Sequence, residues 1–366
     1  MSTIVQPEGQ FPPTGPIVAE AVREPPPPPP RRRSFWGRLF LVLLLLAFLG
    51  SLCLNLLLVP LVALGLAGSL ESDHRVQEKF FSHNREARDK VVILSIEGGI
   101  FNPEDGFVKQ QIDQVIKDET VKGVVLRINS PGGTITGSDF LYHHLVRLRQ
   151  ERKLPMVVSM GGIAASGGYY AAMAVGHEPD VLFAEPTTWT GSIGVVIPHY
   201  NLADLLGKVG VADDSIASHP LKTMGSFSKP MTEEERKIFQ ALIDDGFDRF
   251  KEVVRSGRSR FQKDPTALDR LATGQVFTAE QAKRSGLVDQ IGFVEEAIER
   301  AISLTGLNKE NVKVIKYESK PSLRSLLMGG EARSATPLDL KVLLEMATPR
   351  AYYLCTWLPG VEGIGD

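Results

Sequence analysis

The sequence predicts an α/β fold built on a parallel sheet and preceded by one apolar helix. Three observations carry that prediction. From about residue 90, short apolar runs alternate with helical stretches, the pattern of strands joined by crossover helices. Two of those runs open into Gly-Gly turns directly ahead of a helix, at Gly132-Gly133 and around Gly167-Gly168. Upstream, Leu39 to Leu70 carries no charged side chain, whereas a bilayer core needs only ~20 apolar residues in a helix.

Composition narrows the function classes. The chain has 366 residues, 43% hydrophobic and 23% charged, with 41 Lys+Arg against 43 Asp+Glu for a net charge of −2. There is no basic excess to suggest a nucleic-acid partner. Two cysteines, Cys53 and Cys355, are too few for a disulfide framework, a zinc ribbon or an iron–sulfur centre.

The elements follow in order. Residues 1–38 are Pro-rich, with an unbroken run from Pro25 to Pro30, and such a segment buries no core; it reads as an extended spacer on the cytoplasmic side. Arg31-Arg32-Arg33 and Arg38 precede the apolar run at 39–70. The positive-inside rule therefore makes 39–70 a single-pass transmembrane anchor, with the N-terminus in the cytoplasm and the bulk of the chain extracytoplasmic. The competing reading is a cleaved signal ending near Ala67-Gly68-Ser69, but the run exceeds the ~7–15 residues of a signal h-region. Residues 71–89 mix charge signs and read as a linker.

Residues 90–305 form the expected main domain. Strands are expected over 91–96, 123–128, 156–160 and 181–184, and helices over 107–117, 136–149 and 168–174. Thr232 with Glu235 three residues on makes a capping-box start for a helix running to Ser256. Residues 306–366 hold scattered Pro and Gly and read as a C-terminal extension of weak pattern.

Chemistry concentrates at the two Gly-Gly turns. In folds of this class, ligands bind where strand ends meet helix starts. Asn129-Ser130-Pro131-Gly132-Gly133 sits at such a junction, and its backbone N–H groups suit an anionic oxygen; taken alone it is also an ordinary turn. Gly161-Gly162-Ile163-Ala164-Ala165-Ser166-Gly167-Gly168 sits at the next. Ser166 could simply cap the helix, yet flanking glycines weaken a first turn. Together the two crossings can place a serine nucleophile beside main-chain donors. A nucleophilic serine needs a base. No histidine lies in a triad context and there is no G-x-S-x-G elbow, which leaves a lysine whose neutral form burial favours. Spacing does not choose among Lys208, Lys222 and Lys229.

Four stretches resemble the signal peptide peptidase A family of membrane-bound serine proteases, relatives of the Clp protease and crotonase folds. They are Asn129 to Gly133, Ala164-Ala165-Ser166-Gly167-Gly168-Tyr169-Tyr170, Thr190-Gly191-Ser192-Ile193-Gly194-Val195, and Lys222 to Glu235. Gly274 to Thr278 and Gly286-Leu287-Val288-Asp289 match the family's later segment, so the resemblance spans about residues 90–305. It implies a Clp/crotonase-like superhelix of β-β-α repeats. It implies Ser166 as nucleophile, Lys222 as general base and Ser192 as the hydroxyl bonded to that lysine. Gly133 and Gly167 would form the oxyanion hole, with Gly132 and Gly168 shaping the substrate site. The family often carries Ser-Gly and Lys-Asp where this chain has Ser218-His219-Pro220-Leu221-Lys222-Thr223. The resemblance further implies hydrophobic peptide substrates such as cleaved signal peptides, no cofactor or metal, and a homo-oligomeric ring or dome in which a one-domain chain borrows surface from its neighbours. Two other readings compete: a crotonase-like binder of acyl thioesters, and a catalytically silent scaffold at the membrane.

Overall fold

The computed structural model describes residues 35–70, 76–101, 103–104, 106–319 and 351–354. The expected Pro-rich tail and most of the C-terminal extension lie outside the described residues. Two units are resolved, 1–72 and 73–366, and each is taken by itself.

In the first unit, α1 (Phe35–Leu70) is one continuous helix of 36 residues that passes through Pro60. Its Leu39–Leu56 stretch has a mean hydropathy of 2.6, and none of it is buried against protein. At 1.5 Å per residue the helix is longer than the ~30 Å hydrocarbon core, so length and composition fit either a membrane anchor or a signal segment.

The second unit is built on a mostly parallel sheet. In chain order its elements are β1 (Gln77–His83), β2 (Asp89–Glu97), α2 (Phe107–Lys117), β3 (Val121–Ser130), β4 (Gly132–Thr134), α3 (Ile135–Arg152), β5 (Met156–Ala165), α4 (Gly167–Ala172), β6 (Leu182–Ala184), β7 (Trp189–Gly191), α5 (Ala203–Lys208), α6 (Glu233–Gly257), α7 (Ser259–Lys263), α8 (Pro265–Asp269), β8 (Val276–Thr278), α9 (Ala279–Ser285), β9 (Gln290–Ile291), α10 (Val294–Thr305), β10 (Val312–Glu318) and β11 (Tyr352–Leu354). The strand order is β1-β10-β2-β3-β5-β6-β9, with β7 continuing from β5 and β8 pairing with β7. The strands of the main path pair in parallel except β1 against β10.

The strands expected over 91–96, 123–128, 156–160 and 181–184, the helices expected over 107–117, 136–149 and 168–174, and the helix expected from Thr232 to Ser256 are present, with small boundary shifts. The ordered sheet nonetheless reaches past both expected domain limits. It takes in β1 from the stretch read as linker and β10 from the stretch read as extension, while β11 pairs with β4. Ser215-Ile216-Ala217, strand-like in sequence, is irregular and exposed, with no sheet partner among the described residues to satisfy its backbone.

The inner strands are apolar on both faces, as a covered parallel sheet requires: Val91, Val92, Leu94, Val124, Val125, Leu126, Val157 and Val158 are all fully buried. α10 packs on β3 and β5, and α4 on β3, β4 and β5. α6 starts at the expected capping box: the Glu235 N–H donates to Thr232 Oγ1 at 3.2 Å and the Thr232 N–H donates to the Glu235 carboxylate at 2.9 Å.

A part-buried ion pair closes the later segment onto the sheet. The Asp289 carboxylate accepts from the N–H groups of Val181 and Leu182, both at 3.0 Å, and from Arg258 Nη2 at 2.6 Å. Removing Asp289 leaves the part-buried Arg258 charge and two backbone N–H groups without their acceptor. Asp289→Ala is expected to cost about 2 kcal/mol, measured as a lowered midpoint in denaturant unfolding of the protein.

Candidate functional site

Strand register assembles the site. Ser130, the last residue of β3, pairs with Ala164 of β5, and Ala165 pairs with Gly191 of β7. Three turns therefore leave one sheet edge side by side: Pro131 to Gly133, Ser166-Gly167, and Ser192. The register is enforced by burial, since a one-residue slip would turn every core side chain outward.

Ser166 converts β5 into α4 within one residue. Its backbone sits at φ 53°, ψ −115°, a region costing a non-glycine residue ~1–2 kcal/mol. The conformation is held from both sides. The Ser166 N–H donates to Gly191 O at 2.8 Å, and the Tyr170 N–H donates to Ser166 O at 2.8 Å. The side chain caps nothing, so the plain N-cap reading fails. Ser166 is buried, and its Oγ has no hydrogen-bond partner among the described residues. A buried hydroxyl held in strain and left unbonded is the signature of a group reserved for something not yet bound. Ser192 also takes positive φ, at 50°, and its N–H donates to Gln275 O at 2.8 Å.

The glycines are required by contact. Gly132 has φ 101°, and a Cβ there would lie 2.6 Å from Gly167 N and 3.1 Å from Ser166 Cβ. A Cβ on Gly167 would collide with Ser138 Oγ and stand 3.2 Å from Gly133 N. A Cβ on Gly133 would collide with Ile100 O, and one on Gly168 would be 2.9 Å from Ser130 O. The Gly132-Gly133 loop and the Ser166-Gly167 turn thus touch backbone to backbone, which brings together Ser166, Gly132, Gly133, Gly167 and Gly168. The Ile100 N–H donates to Gly132 O, and the Thr134 N–H to Ile100 O, both at 2.9 Å. Strand alternation then turns the Gly133 N–H to the opposite edge.

That opposite edge is covered by β11, antiparallel to β4 with Tyr353 opposite Gly133 and Leu354 opposite Gly132. On its other side Tyr352 exchanges backbone bonds with Val196, at 2.9 and 3.1 Å. Sequence reasoning missed this strand. The signal was local: two tyrosines and a leucine are strand formers, and they follow Pro349 in an otherwise unpatterned stretch.

Lys222 lies elsewhere in its bonding. It sits exposed on a single turn of 3₁₀ helix, Pro220–Thr223, and donates no hydrogen bond to Ser166 Oγ, which has no partner. The other two lysines are also placed. Lys208 is exposed on α5, and the Lys229 ammonium is committed to Glu235. Glu235 is almost fully buried. The hydrogen bond from Lys229, then that from the Thr232 N–H, holds its carboxyl below the usual range. The same segment is tied back by His199 Nε2 to Ser226 O at 3.3 Å and by the Leu202 N–H to Phe227 O at 2.7 Å. His199 is thus part-buried in this packing, and Tyr200 is exposed.

The sheet edge that gathers these turns belongs to a mixed α/β unit, and the comparisons give its class as that of a peptidase. The model of "Peptidase family S49" matches residues 148–308. A Synechocystis protein provisionally named a protease is 35% identical over 252 residues, covering 69% of this chain and 87% of that protein. An Enterococcus faecium protein provisionally named signal peptide peptidase SppA is 36% identical over 245 residues, 63% of this chain and 67% of that protein. Protease 4 of Salmonella typhi is 34% identical over 237 residues, 64% of this chain but only 37% of that longer protein. The chain belongs to peptidase family S49.

Two outcomes are expected. Gly132→Ala combines a positive-φ penalty with overpacking, and is expected to cost about 3 kcal/mol in unfolding experiments. Glu235 has a lowered folded pKa, so its contribution to stability is full above its unfolded value of about 4.3 and is lost as pH falls through the folded value. Acid unfolding curves should therefore be less steep between pH 5 and 2 for Glu235→Gln than for the wild type, as monitored by circular dichroism.

Proposed function

We propose that the chain is a membrane-anchored serine endopeptidase in which Ser166 attacks the carbonyl of an extended, hydrophobic peptide, with remnant signal peptides as natural substrates. The observation that carries this is Ser166 itself: strained, buried, unbonded, and flanked by the Gly132-Gly133 loop and Gly167. The Gly133 and Gly167 N–H groups take the developing oxyanion, a contribution of ~3 kcal/mol per donor. Gly132 and Gly168 leave room for the substrate backbone. The second unit is read as a β-β-α superhelix of the Clp/crotonase type.

Lys222 is the general base in this reading, and it reaches Ser166 from a neighbouring copy. Two facts support that. Lys222 and Ser166 are not bonded within one chain. The excursion that carries Lys222 also exposes Leu205, Val209, Val211 and Ile216, an apolar surface more typical of an assembly contact than of a free monomer. Packing against a neighbour would bury both the apolar side chains and the lysine, and burial favours the neutral amine that can accept a proton. Ser192 hydrogen-bonds that amine and fixes its direction. A homo-oligomeric ring or dome follows, with α1 at 39–70 in lipid, the N-terminus cytoplasmic and the peptidase unit outside the cell membrane. No cofactor is needed for this chemistry.

The test uses detergent-solubilised full-length protein and a fluorogenic hydrophobic peptide. Ser166→Ala is expected to abolish cleavage and labelling by a serine-directed acylating probe. Lys222→Ala is expected to lower kcat/KM by about 10³-fold or more. Equimolar mixtures of the two variants, dissociated and reassembled, should regain part of the activity if the pair forms across subunits. Because an ammonium accepts no proton, kcat/KM should rise toward alkaline pH. Undiminished cleavage by both single variants, or a flat pH profile, rejects the Ser–Lys assignment.

A further inference from the structure

At the end of the sheet opposite Ser166 lies a cavity whose charged groups lack partners. β5 opens at Met156 and reaches Ala165, next to Ser166; its 10 residues, at ~3.3 Å each, put about 30 Å between the strand's ends. Four elements meet at the far end. α3 finishes with Arg149 in its last turn and Lys153 beyond it, the latter turned out of the helix at φ 51°. Met156 begins β5, and Val175 closes the single 3₁₀ turn that follows α4. Leu304 lies in the last turn of α10. With Glu178 these residues line about 410 Å³, within the roughly 300–1,000 Å³ of small-molecule pockets.

Met156 and Val175 are buried, and Leu304 packs against the same core, so the floor is apolar. Arg152, in the same helix as Arg149, shows what a half-buried guanidinium ordinarily does. It donates to the carbonyls of Ile116 and Asp118 at 3.0 Å and to that of Val121 at 3.3 Å. Arg149 is different. Its Nε is enclosed and has no acceptor among the described residues. Its Nη1 rests on Gly176, where φ is 79° and a Cβ would collide with it, so the glycine leaves the guanidinium its place. Lys153 and Glu178 are exposed. Among the described residues, no side-chain hydrogen bond or ion pair engages either of them or Arg149.

We propose that this cavity binds a singly charged organic carboxylate that carries a small aliphatic group. Arg149 and Lys153 against Glu178 leave a local surplus of one positive charge. One carboxylate neutralises that surplus, and a doubly charged phosphate exceeds it. A guanidinium fork matches the two oxygens of a carboxylate. Partly desolvated and unpaired, Arg149 gains more from an anion than an arginine fully in water does. The aliphatic floor of Met156, Val175 and Leu304 seats the ligand's apolar body. The C-terminal residue of a peptide and a short fatty acid share this chemistry. The site lies at the other end of β5 from Ser166 and stands whether or not that serine is the nucleophile.

The test is isothermal titration calorimetry on detergent-solubilised full-length protein at fixed ionic strength. N-acetyl-leucine and hexanoate are the two carboxylates; N-acetyl-leucinamide, acetate and inorganic phosphate are the comparators. Saturable binding of N-acetyl-leucine or hexanoate at one site per chain is expected, with every comparator at least about tenfold weaker. Tighter binding of N-acetyl-leucine identifies a peptide end as the ligand, and tighter binding of hexanoate an acyl chain. Arg149→Gln should weaken the carboxylate by about tenfold or more. Arg149→Lys, which keeps the charge but not the fork, should fall between. Lys153→Gln, at an exposed position, should keep the unfolding midpoint and the basal peptide cleavage while weakening binding about threefold. Should Arg149→Gln not fold, the affinity of Lys153→Gln decides. Binding of neither carboxylate, equal binding of the amide, phosphate binding as tightly as N-acetyl-leucine, or unchanged affinity in the Arg149 and Lys153 variants overturns the assignment.

Discussion

The approach of two backbones without intervening side chains is the constraint on which the site depends. The Gly132-Gly133 loop and the Ser166-Gly167 turn meet at distances that leave no space for a Cβ on three of those four residues. Parallel register puts them there: β3, β5 and β7 end in step, so their turns emerge together. The sheet's fully buried valines and leucines supply the driving force, and the strain of Ser166 and Ser192 at positive φ is small beside it. Strain of ~1–2 kcal/mol per residue persists because the neighbouring bonds, from the Ser166 N–H to Gly191 O and from the Ser192 N–H to Gln275 O, leave each residue no alternative. What results is a serine whose hydroxyl is excluded from the local bonding that serines ordinarily make at helix starts.

The lysine half of the proposed chemistry obeys a different physics. None of the described residues buries Lys222, and the segment around 211–219 is exposed throughout. Yet the segment is not loose at its root. The buried Glu235 carboxylate gathers Lys229 and the Thr232 N–H, and the neighbouring backbone is tied by Leu202 to Phe227. A lysine presented on an anchored but uncovered arm is suited to completing a pocket outside its own chain. In the proposed reading, burial by another copy would supply the environment that the single chain does not give this lysine. The same packing would cover the exposed Leu205, Val209, Val211 and Ile216, and so would give the proposed assembly its own hydrophobic reason to form.

Much of this was legible before any coordinates. The alternation of apolar runs and helices gave the strand sequence through β6, because each inner strand is a short unbroken hydrophobic run with a turn behind it. The capping box at Thr232 and Glu235 was visible from spacing alone. Ser166 and its glycines stood out because Ser-Gly-Gly is poor material for a helix start. Three things were hidden. β1 and β10 carry lysines and glutamates on the half-exposed end of the sheet, so their pattern is diluted. Ser215 to Ala217 has the composition of a strand without the neighbour a strand needs. β11 is three residues long, and nothing local tells that its partners are Gly132 to Thr134, more than two hundred positions earlier.

That last strand shows how a distant segment is fixed at the sheet edge beside Ser166. Edge addition draws on backbone groups that every residue carries, so β4 and Val196 hold β11 by its extended shape rather than by its sequence. Register must then come from side-chain positions, and alternation allows only every second residue to turn toward the interior. In β11 that residue is Tyr353, buried, while its neighbours Tyr352 and Leu354 remain partly exposed. Its ring against Tyr170 and Phe250 and its hydroxyl on the Gly246 carbonyl pin the strand at one point, and the two flanking edges hold the rest in line.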